Sequence, residues 1–372
     1  MTAIHPIVLP KWGLSMEEGT IIAWHAEEGG FISKGADLVD IETPKITNTL
    51  EAPLSGVLRR RIAEIGGTYP CGSLIAVLAD AGVSDAEINT YISARQASAG
   101  ITDASEEASD ADPQTLDLGG HTLRYLVRGE GEATVLLLHG FGGDLGNWMF
   151  VQPKLAEHVR TIALDLPGHG GSDKDLSGIA SLSDLADLVL RAMDGMGLAN
   201  AHVVGHSMGG LIAALMAERQ PQRILSLTLV SPAGFGSPVS TSFLDAFVLA
   251  RKRSEVALAA AQLFSDPTLV SRDMIDALLR YKRLDGAAEA LSTLAELLKN
   301  TPTAQGLAAI ADFSRPVTLV WGAADSIVPL SPAQSLPVIR EVIVLDSAAH
   351  MAHLEAADAV AAAIQRNIRS AS

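Results

Sequence analysis

Cysteine is nearly missing from this sequence: Cys71 stands alone among 372 residues. One thiol cannot form an internal disulfide, so the fold must rest on packing, and a reducing, cytoplasmic setting is expected. Aromatic residues make up only 4% while apolar residues reach 48%, which points to a core of aliphatic side chains. Basic side chains are outnumbered, 27 against 43 acidic, for a net charge of −16. A surface of that sign repels phosphate backbones and anionic lipid, which excludes nucleic-acid binding as the main role. No apolar run approaches the roughly 18–20 residues of a membrane-spanning helix. The opening MTAIHPIVLPKWG has neither the basic start nor the apolar stretch of a secretory signal. No HExxH or CxxC pattern occurs and the histidines are scattered, so no metal site is expected.

What is present divides the chain. At about 150 residues per domain the length suggests two domains with some excess. Residues 1–79 carry a net charge of −3, residues 80–114 a net of −7, and the remainder −6. The middle piece ends ITDASEEASDADP and holds few large apolar side chains. Like charges that cannot bury a core stay solvated, so 80–114 reads as an acidic, Ala/Ser-rich linker. A flexible chain of that length reaches roughly 30–35 Å, enough to swing a small domain over a larger one. Within it, Ser84 and Glu87 form a capping-box pattern, followed by Ile88, Tyr91 and Ile92 at helical spacing.

The N-terminal segment repeats itself. Gly19, Gly29, Gly30 and Gly35 recur 37 positions later as Gly56, Gly66, Gly67 and Gly72, with short β-type runs between them. Two matching halves of short strands and Gly turns predict a small flattened β-barrel or sandwich over 1–79. Pro44-Lys45 falls between two strand-like runs and reads as the tip of a hairpin, where Pro44 supplies the φ that position i+1 of a type I turn requires. Cys71, one half-repeat from Lys34, reads as structural.

From 115 onward, strands alternate with helices. Leu116–Leu118, Gly119-Gly120 and His121–Leu126 read as a hairpin. Apolar runs follow at 135–140, 161–168, 201–207, 225–232, 316–322 and 341–346, with helical patterns between, for example Leu182 to Met193 and Met208 to Arg219. Continuous apolar strands separated by helices predict a mostly parallel sheet covered on both faces. The strandless stretch of about 238–305 reads as a helical lid.

Gly205-His206-Ser207-Met208-Gly209 follows a strand and opens a helix, the G-x-S-x-G context that exposes a serine hydroxyl over a helix N-terminus. A serine hydroxyl needs a base, and the base an orienting carboxylate. Asp325 and His350, each just past the end of a strand, supply them in the order Ser…Asp…His. The backbone N–H groups of Phe141, in His139-Gly140-Phe141-Gly142-Gly143, and of Met208 are the expected oxyanion hole. His139, His169 and His206 read as packing or loop-shaping residues, and Asp165 as a turn residue ending its strand.

GHSMGG, HGFGG, DLPGHGGSD, WGAADSIVP and AAHMAHLE together resemble the α/β-hydrolase family across about 255 residues, with Ala348-Ala349 where the family often has Gly. The small domain resembles the lipoyl and biotinyl carrier family. Biotinyl sites place Met on both sides of the lysine. Here Pro44 and Ile46 flank Lys45, while Glu42, Gly29-Gly30 and the opening VLPKWGLSMEEGTI resemble the lipoyl pattern, with Pro44 where Asp is usual. The resemblance implies lipoate in amide linkage to Lys45.

A lipoyl domain joined through an acidic linker to an α/β-hydrolase domain is similar to the acyltransferase (E2) components of acetoin dehydrogenase complexes. The His-x-x-x-Asp-Gly motif of ordinary 2-oxo acid dehydrogenase acyltransferases is absent: Asp194-Gly195 and Asp285-Gly286 are preceded, four positions earlier, by Leu190 and Tyr281. The resemblance implies transfer of an acetyl group from lipoyl-Lys45 to coenzyme A, routed through Ser207, Asp325 and His350. The partners it implies are a thiamine-diphosphate-dependent E1 and a flavin dihydrolipoyl dehydrogenase E3, in a homo-oligomeric assembly. Arg251-Lys252-Arg253 and Arg280-Tyr281-Lys282-Arg283 are candidates to hold CoA phosphates. Two other readings stay open: an esterase or thioesterase with an appended lipoyl domain, and a carrier and scaffold protein.

Overall fold

The computed structural model describes residues 4–10, 18–42, 47–71, 73–79, 82–89, 91–92, 112–330 and 336–371. Contacts divide the chain into two units, Met1–Glu106 and Glu107–Ser372.

Among the described residues, the first unit has two four-stranded sheets. One has the order β1 (Ile4–Val8), β8 (Leu74–Ala79), β6 (Gly56–Arg61), β3 (Phe31–Ile32). The other has the order β5 (Thr47–Glu51), β4 (Asp37–Glu42), β2 (Glu18–Trp24), β7 (Thr68–Pro70). The 37-residue repeat is visible in the backbone. Gly29 and Gly66 both take positive φ, 85° and 83°, a conformation open to glycine without steric cost. Gly29 N–H donates to the Leu58 carbonyl, and Gly66 N–H to Ile21, each at 2.7 Å. The pairs Ile21–Ile41 and Leu58–Leu78 obey the same offset. The two halves therefore exchange equivalent hydrogen bonds about a pseudo-two-fold axis. Ile21, Leu38, Ile41, Leu58, Ile75 and Leu78 fill the space between the sheets with no exposed surface.

Part of the segment read as linker is folded. Ser84 and Glu87 exchange capping-box hydrogen bonds, Ser84 N–H to Glu87 Oε2 at 2.9 Å and Glu87 N–H to Ser84 Oγ at 3.3 Å. Ile88 and Val83 bury against Val77 and Ala79 of β8 and its end.

The second unit is an eight-stranded sheet. Its order is β16 (Ile339–Leu345), β15 (Val317–Gly322), β14 (Ile224–Val230), β13 (Ala201–His206), β11 (Thr134–Leu138), β12 (Arg160–Leu164), β10 (Thr122–Arg128), β9 (Gln114–Asp117). The six strands from β16 to β12 are mutually parallel, and β10 runs antiparallel to both of its neighbours. Side chains alternate between two cores. Leu136, Leu138, Val203, Leu227 and Leu319 pack with helices Leu182–Gly195 and Met208–Arg219 on one face. Val135, Leu137, Val204, Val230 and Val320 pack on the other with Val360, Ile364 and Ile368 of helix Ala357–Ala371. This is the doubly covered parallel sheet expected of unbroken apolar strands. Met208–Arg219 is buried from Met208 to Ala217, which explains why its sequence is apolar all round. Between β14 and β15 the chain forms helices Thr241–Leu249, Arg253–Ala261, Arg272–Tyr281 and Ala287–Lys299. No helix among the described residues is long and apolar enough to cross a membrane.

Candidate active site

The turn from β13 into helix Met208–Arg219 places Ser207 at φ 52°, ψ −115°, a conformation that costs an ordinary residue roughly 1–3 kcal/mol. Four backbone hydrogen bonds hold it there. Ser207 N–H donates to Val230 O at 3.0 Å, and its carbonyl accepts from Gly210, Leu211 and Ala233 at 3.0–3.2 Å. The flanking glycines are sterically required: a Cβ on Gly205 would stand 2.3 Å from Gly209 O, and one on Gly209 would stand 2.5 Å from Leu138 O.

Asp325 and His350 follow β15 and β16, two and three strands along the sheet from β13. His350 Nδ1 lies 2.8 Å from Asp325 Oδ2, and both side chains are almost wholly buried. The other carboxylate oxygen, Oδ1, accepts the N–H groups of Ile327 and Val328, each at 2.9 Å. A carboxylate so placed accepts the imidazole proton at Nδ1 and leaves Nε2 as the basic nitrogen. Ser207, His350, Gly140 and Phe141 line one pocket, closed over by lid side chains including Phe243, Leu244 and Phe247. Its volume is about 80 Å³, far below the roughly 300–1,000 Å³ of sites for drug-sized ligands.

The loop after β11 presents Phe141 to that pocket. Neither Phe141 N–H nor Met208 N–H donates a hydrogen bond among the described residues, so both donors are open. Two buried histidines fix the loop. His139 Nε2 accepts from Leu166 N–H at 2.9 Å while its Nδ1 faces Gly140 O at 2.8 Å. His169 Nε2 accepts from Gly142 N–H at 3.0 Å, and its Nδ1 faces Pro167 O at 3.1 Å. Each ring accepts through one nitrogen and donates through the other, which only the neutral form can do. Burial lowers both pKa values, well below the ordinary histidine range for His169. His206 donates from Nε2 to the His350 carbonyl at 2.9 Å and is likewise held neutral by burial.

Asp165 is more than the turn residue read from the sequence. It is fully buried, accepts from Leu145 N–H at 2.6 Å and Gly171 N–H at 2.7 Å, and has Arg124 Nη1 at 3.5 Å. Burial raises its pKa. Of the two basic lid runs, Arg251, Lys252, Arg253, Arg280 and Arg283 are exposed, whereas Lys282 is not. Lys282 is buried and donates to the Phe247 carbonyl, and Arg253 pairs with Asp276. Sequence reasoning missed Glu355: Oε2 accepts Ala349 N–H at 2.8 Å, beside His350, and Oε1 accepts from Ser265 N–H and Oγ at 2.7 and 2.6 Å. Its only sequence signal is a carboxylate five positions after His350.

Lys45 lies outside the described residues. The strands on either side pair Glu42 with Thr47. Among the described residues no group of three or more His, Cys, Asp or Glu could hold a metal ion.

Comparison with known proteins agrees with both units. Residues 133–357 match the alpha/beta hydrolase fold family, and residues 5–78 match a family described as biotin-requiring enzymes. Among solved structures, a meta-cleavage product hydrolase from Pseudomonas fluorescens IP01 superposes with a TM-score of 0.62 at 22% identity, covering 70% of this chain and 98% of that one. Over the full length, the chain is 46% identical to the dihydrolipoyllysine-residue acetyltransferase component of the acetoin cleaving system of Cupriavidus necator, covering 98% of this chain and 97% of the relative. It is 42% identical to the protein of the same name from Pseudomonas putida, covering 97% of each. The chain belongs to the alpha/beta hydrolase fold family and, within it, to the acetyltransferase components of acetoin cleaving systems.

Proposed function

We propose that the chain transfers an acetyl group to coenzyme A as the acetyltransferase of an acetoin cleaving system, with Ser207, His350 and Asp325 as its catalytic residues and Phe141 and Met208 N–H as its oxyanion hole. Lys45 is the attachment point, where a lipoyl group in amide linkage supplies the thiol that carries the acetyl group. Ser207 Oγ attacks the acetyl carbonyl of the thioester while His350 Nε2 takes its proton. Phe141 and Met208 N–H groups receive the developing oxyanion, aided by the helix N-terminus beneath Met208. The carbon–sulfur bond breaks, and His350 returns the proton to the departing thiolate. In the second half, His350 takes the proton of the CoA thiol, and the thiolate attacks the acetyl-serine ester. That bond breaks, Ser207 regains its proton from His350, and acetyl-CoA leaves. Asp325 holds the imidazole in the tautomer both halves need.

A thiamine-diphosphate-dependent E1 and a flavin dihydrolipoyl dehydrogenase E3 complete the cycle, consistent with membership of a multi-component system. The observation that carries this reading is the meeting, in one pocket, of a strained Ser207, the loop bearing the open Phe141 N–H and a His350 aligned by a buried Asp325, in a chain that also has a carrier unit. The test is single-turnover transfer to CoA from the acetyl-loaded protein, wild type against Ser207→Ala. Loss of the nucleophile should cost about 10⁴–10⁶ in rate. Undiminished acetyl-CoA formation by the variant would remove Ser207 from the pathway, and acetate in place of acetyl-CoA would make the enzyme a thioesterase.

A further inference from the structure

Phe247 occupies an unusual position in the lid. It sits in the last turn of helix Thr241–Leu249, is 2% exposed, and lines the pocket that holds Ser207. Its ring stands against the oxyanion loop. A Cβ on Gly142 would meet the ring at 2.5 Å, and the Phe141 ring centroid is 5.5 Å away, edge to face. Lys282 Nζ stands over the Phe247 ring, 4.7 Å from its centroid, within cation–π range. The same ammonium donates to the Phe247 carbonyl and approaches that of Val248 at 3.5 Å. Those carbonyls end a helix and have no intrahelical partner, so Lys282 serves as a C-terminal cap. Phe243 packs beside the ring, centroids 5.7 Å apart. Phe247 is thus fixed through both its backbone and its ring.

We infer that Phe247, held in place by Lys282, is the wall that limits the transferred group to a short acyl chain. The inference rests on acyl transfer through Ser207. A carbonyl whose oxygen sits at Phe141 N–H lies beside Gly142, and the Phe247 ring fills the space next to that glycine. The acyl chain extends from that carbonyl into the pocket that the Phe247 ring lines. Phe247 is then a specificity-determining residue and Lys282 a positioning residue that acts through it.

The experiment uses full-length protein with acetyl, butyryl and hexanoyl thioesters of lipoamide as donors and CoA as acceptor. The p-nitrophenyl esters of the same acids serve as a second donor set. Wild type is compared with Phe247→Ala, Phe247→Leu, Lys282→Met and Ser207→Ala. The hexanoyl-to-acetyl ratio of kcat/KM should rise about tenfold or more in F247A, the scale on which apolar pockets discriminate added methylenes. It should rise less in F247L, and in K282M it should rise because the ring is no longer pinned. An equal loss on every chain length in F247L and K282M, with the ratio unchanged, marks a merely structural role and overturns the inference. Full activity of S207A would instead overturn the acyl-serine pathway on which it rests. Should F247A fail to fold, F247L and K282M still decide.

Discussion

Replacing Asp325 with Asn changes one atom and tests the site's proton logic. Asp325 Oδ1 accepts two backbone N–H groups, from Ile327 and Val328, and Oδ2 faces His350 Nδ1. An asparagine must keep its carbonyl oxygen toward the two N–H donors, because turning the amide NH₂ to them would leave buried donors facing each other, at about 1–3 kcal/mol for each unsatisfied group. The NH₂ therefore faces His350 and makes Nδ1 an acceptor. The ring then carries its proton on Nε2, where the base is needed. Such a tautomer reversal costs about 10⁴ in rate, or about 5.4 kcal/mol of transition-state stabilisation. Single-turnover acetyl transfer to CoA, with a thermal melt of the same samples, should show that loss with little change in Tm. Retained activity with a lowered Tm would mean that the amide turns the other way, and would refute the claim that the two backbone donors lock the carboxylate.

Other consequences follow from the same geometry. Gly209→Ala puts a methyl within 2.4 Å of His139 O and 2.5 Å of Leu138 O; it should lower Tm and abolish labelling of Ser207 by a fluorophosphonate, and normal labelling would contradict the packing described. His353 is fully buried between Trp148 and His206, with neither ring nitrogen bonded among the described residues. Burial, with smaller contributions from His350 and His139, lowers its pKa to about 3. The unfolded chain, with an ordinary histidine near 6.5, binds that proton first, so stability is full above about pH 6.5 and falls as the pH drops toward 3. His353→Phe should leave Tm nearly unchanged at pH 8 and raise it relative to wild type at pH 5; parallel melting curves at both would show that His353 is not a buried neutral residue.

How far the sequence reveals this depends on whether a feature is local. The serine turn, the order of Asp325 and His350, and the paired glycines each sit in a short motif, and the 37-residue offset reappears in matched hydrogen bonds at Gly29 and Gly66. The pairing of β1 with β8 lies beyond such reading, because the strand precedes the first repeat and joins its partner across almost the whole unit. Lys282 was hidden in a run of like charges, which ordinarily marks a solvated face. Its acceptors belong to a helix 35 residues earlier, and only the folded lid brings them together. Glu355 is legible as a charge but not as a bridge, since its partner Ser265 is 90 positions away. His139 and His169 could pass for bases by residue type, and only their hydrogen bonds to backbone N–H groups show that their acceptor nitrogens are already used.

The most direct test is to follow the acetyl group itself. Acetyl-loaded protein is held without CoA, quenched with acid and digested, and the peptide containing Ser207 is weighed. The account predicts an acetylated Ser207 peptide that disappears when CoA is added, as fast as acetyl-CoA forms. Acetyl-CoA appearing at the full rate while that peptide stays unmodified throughout would contradict it.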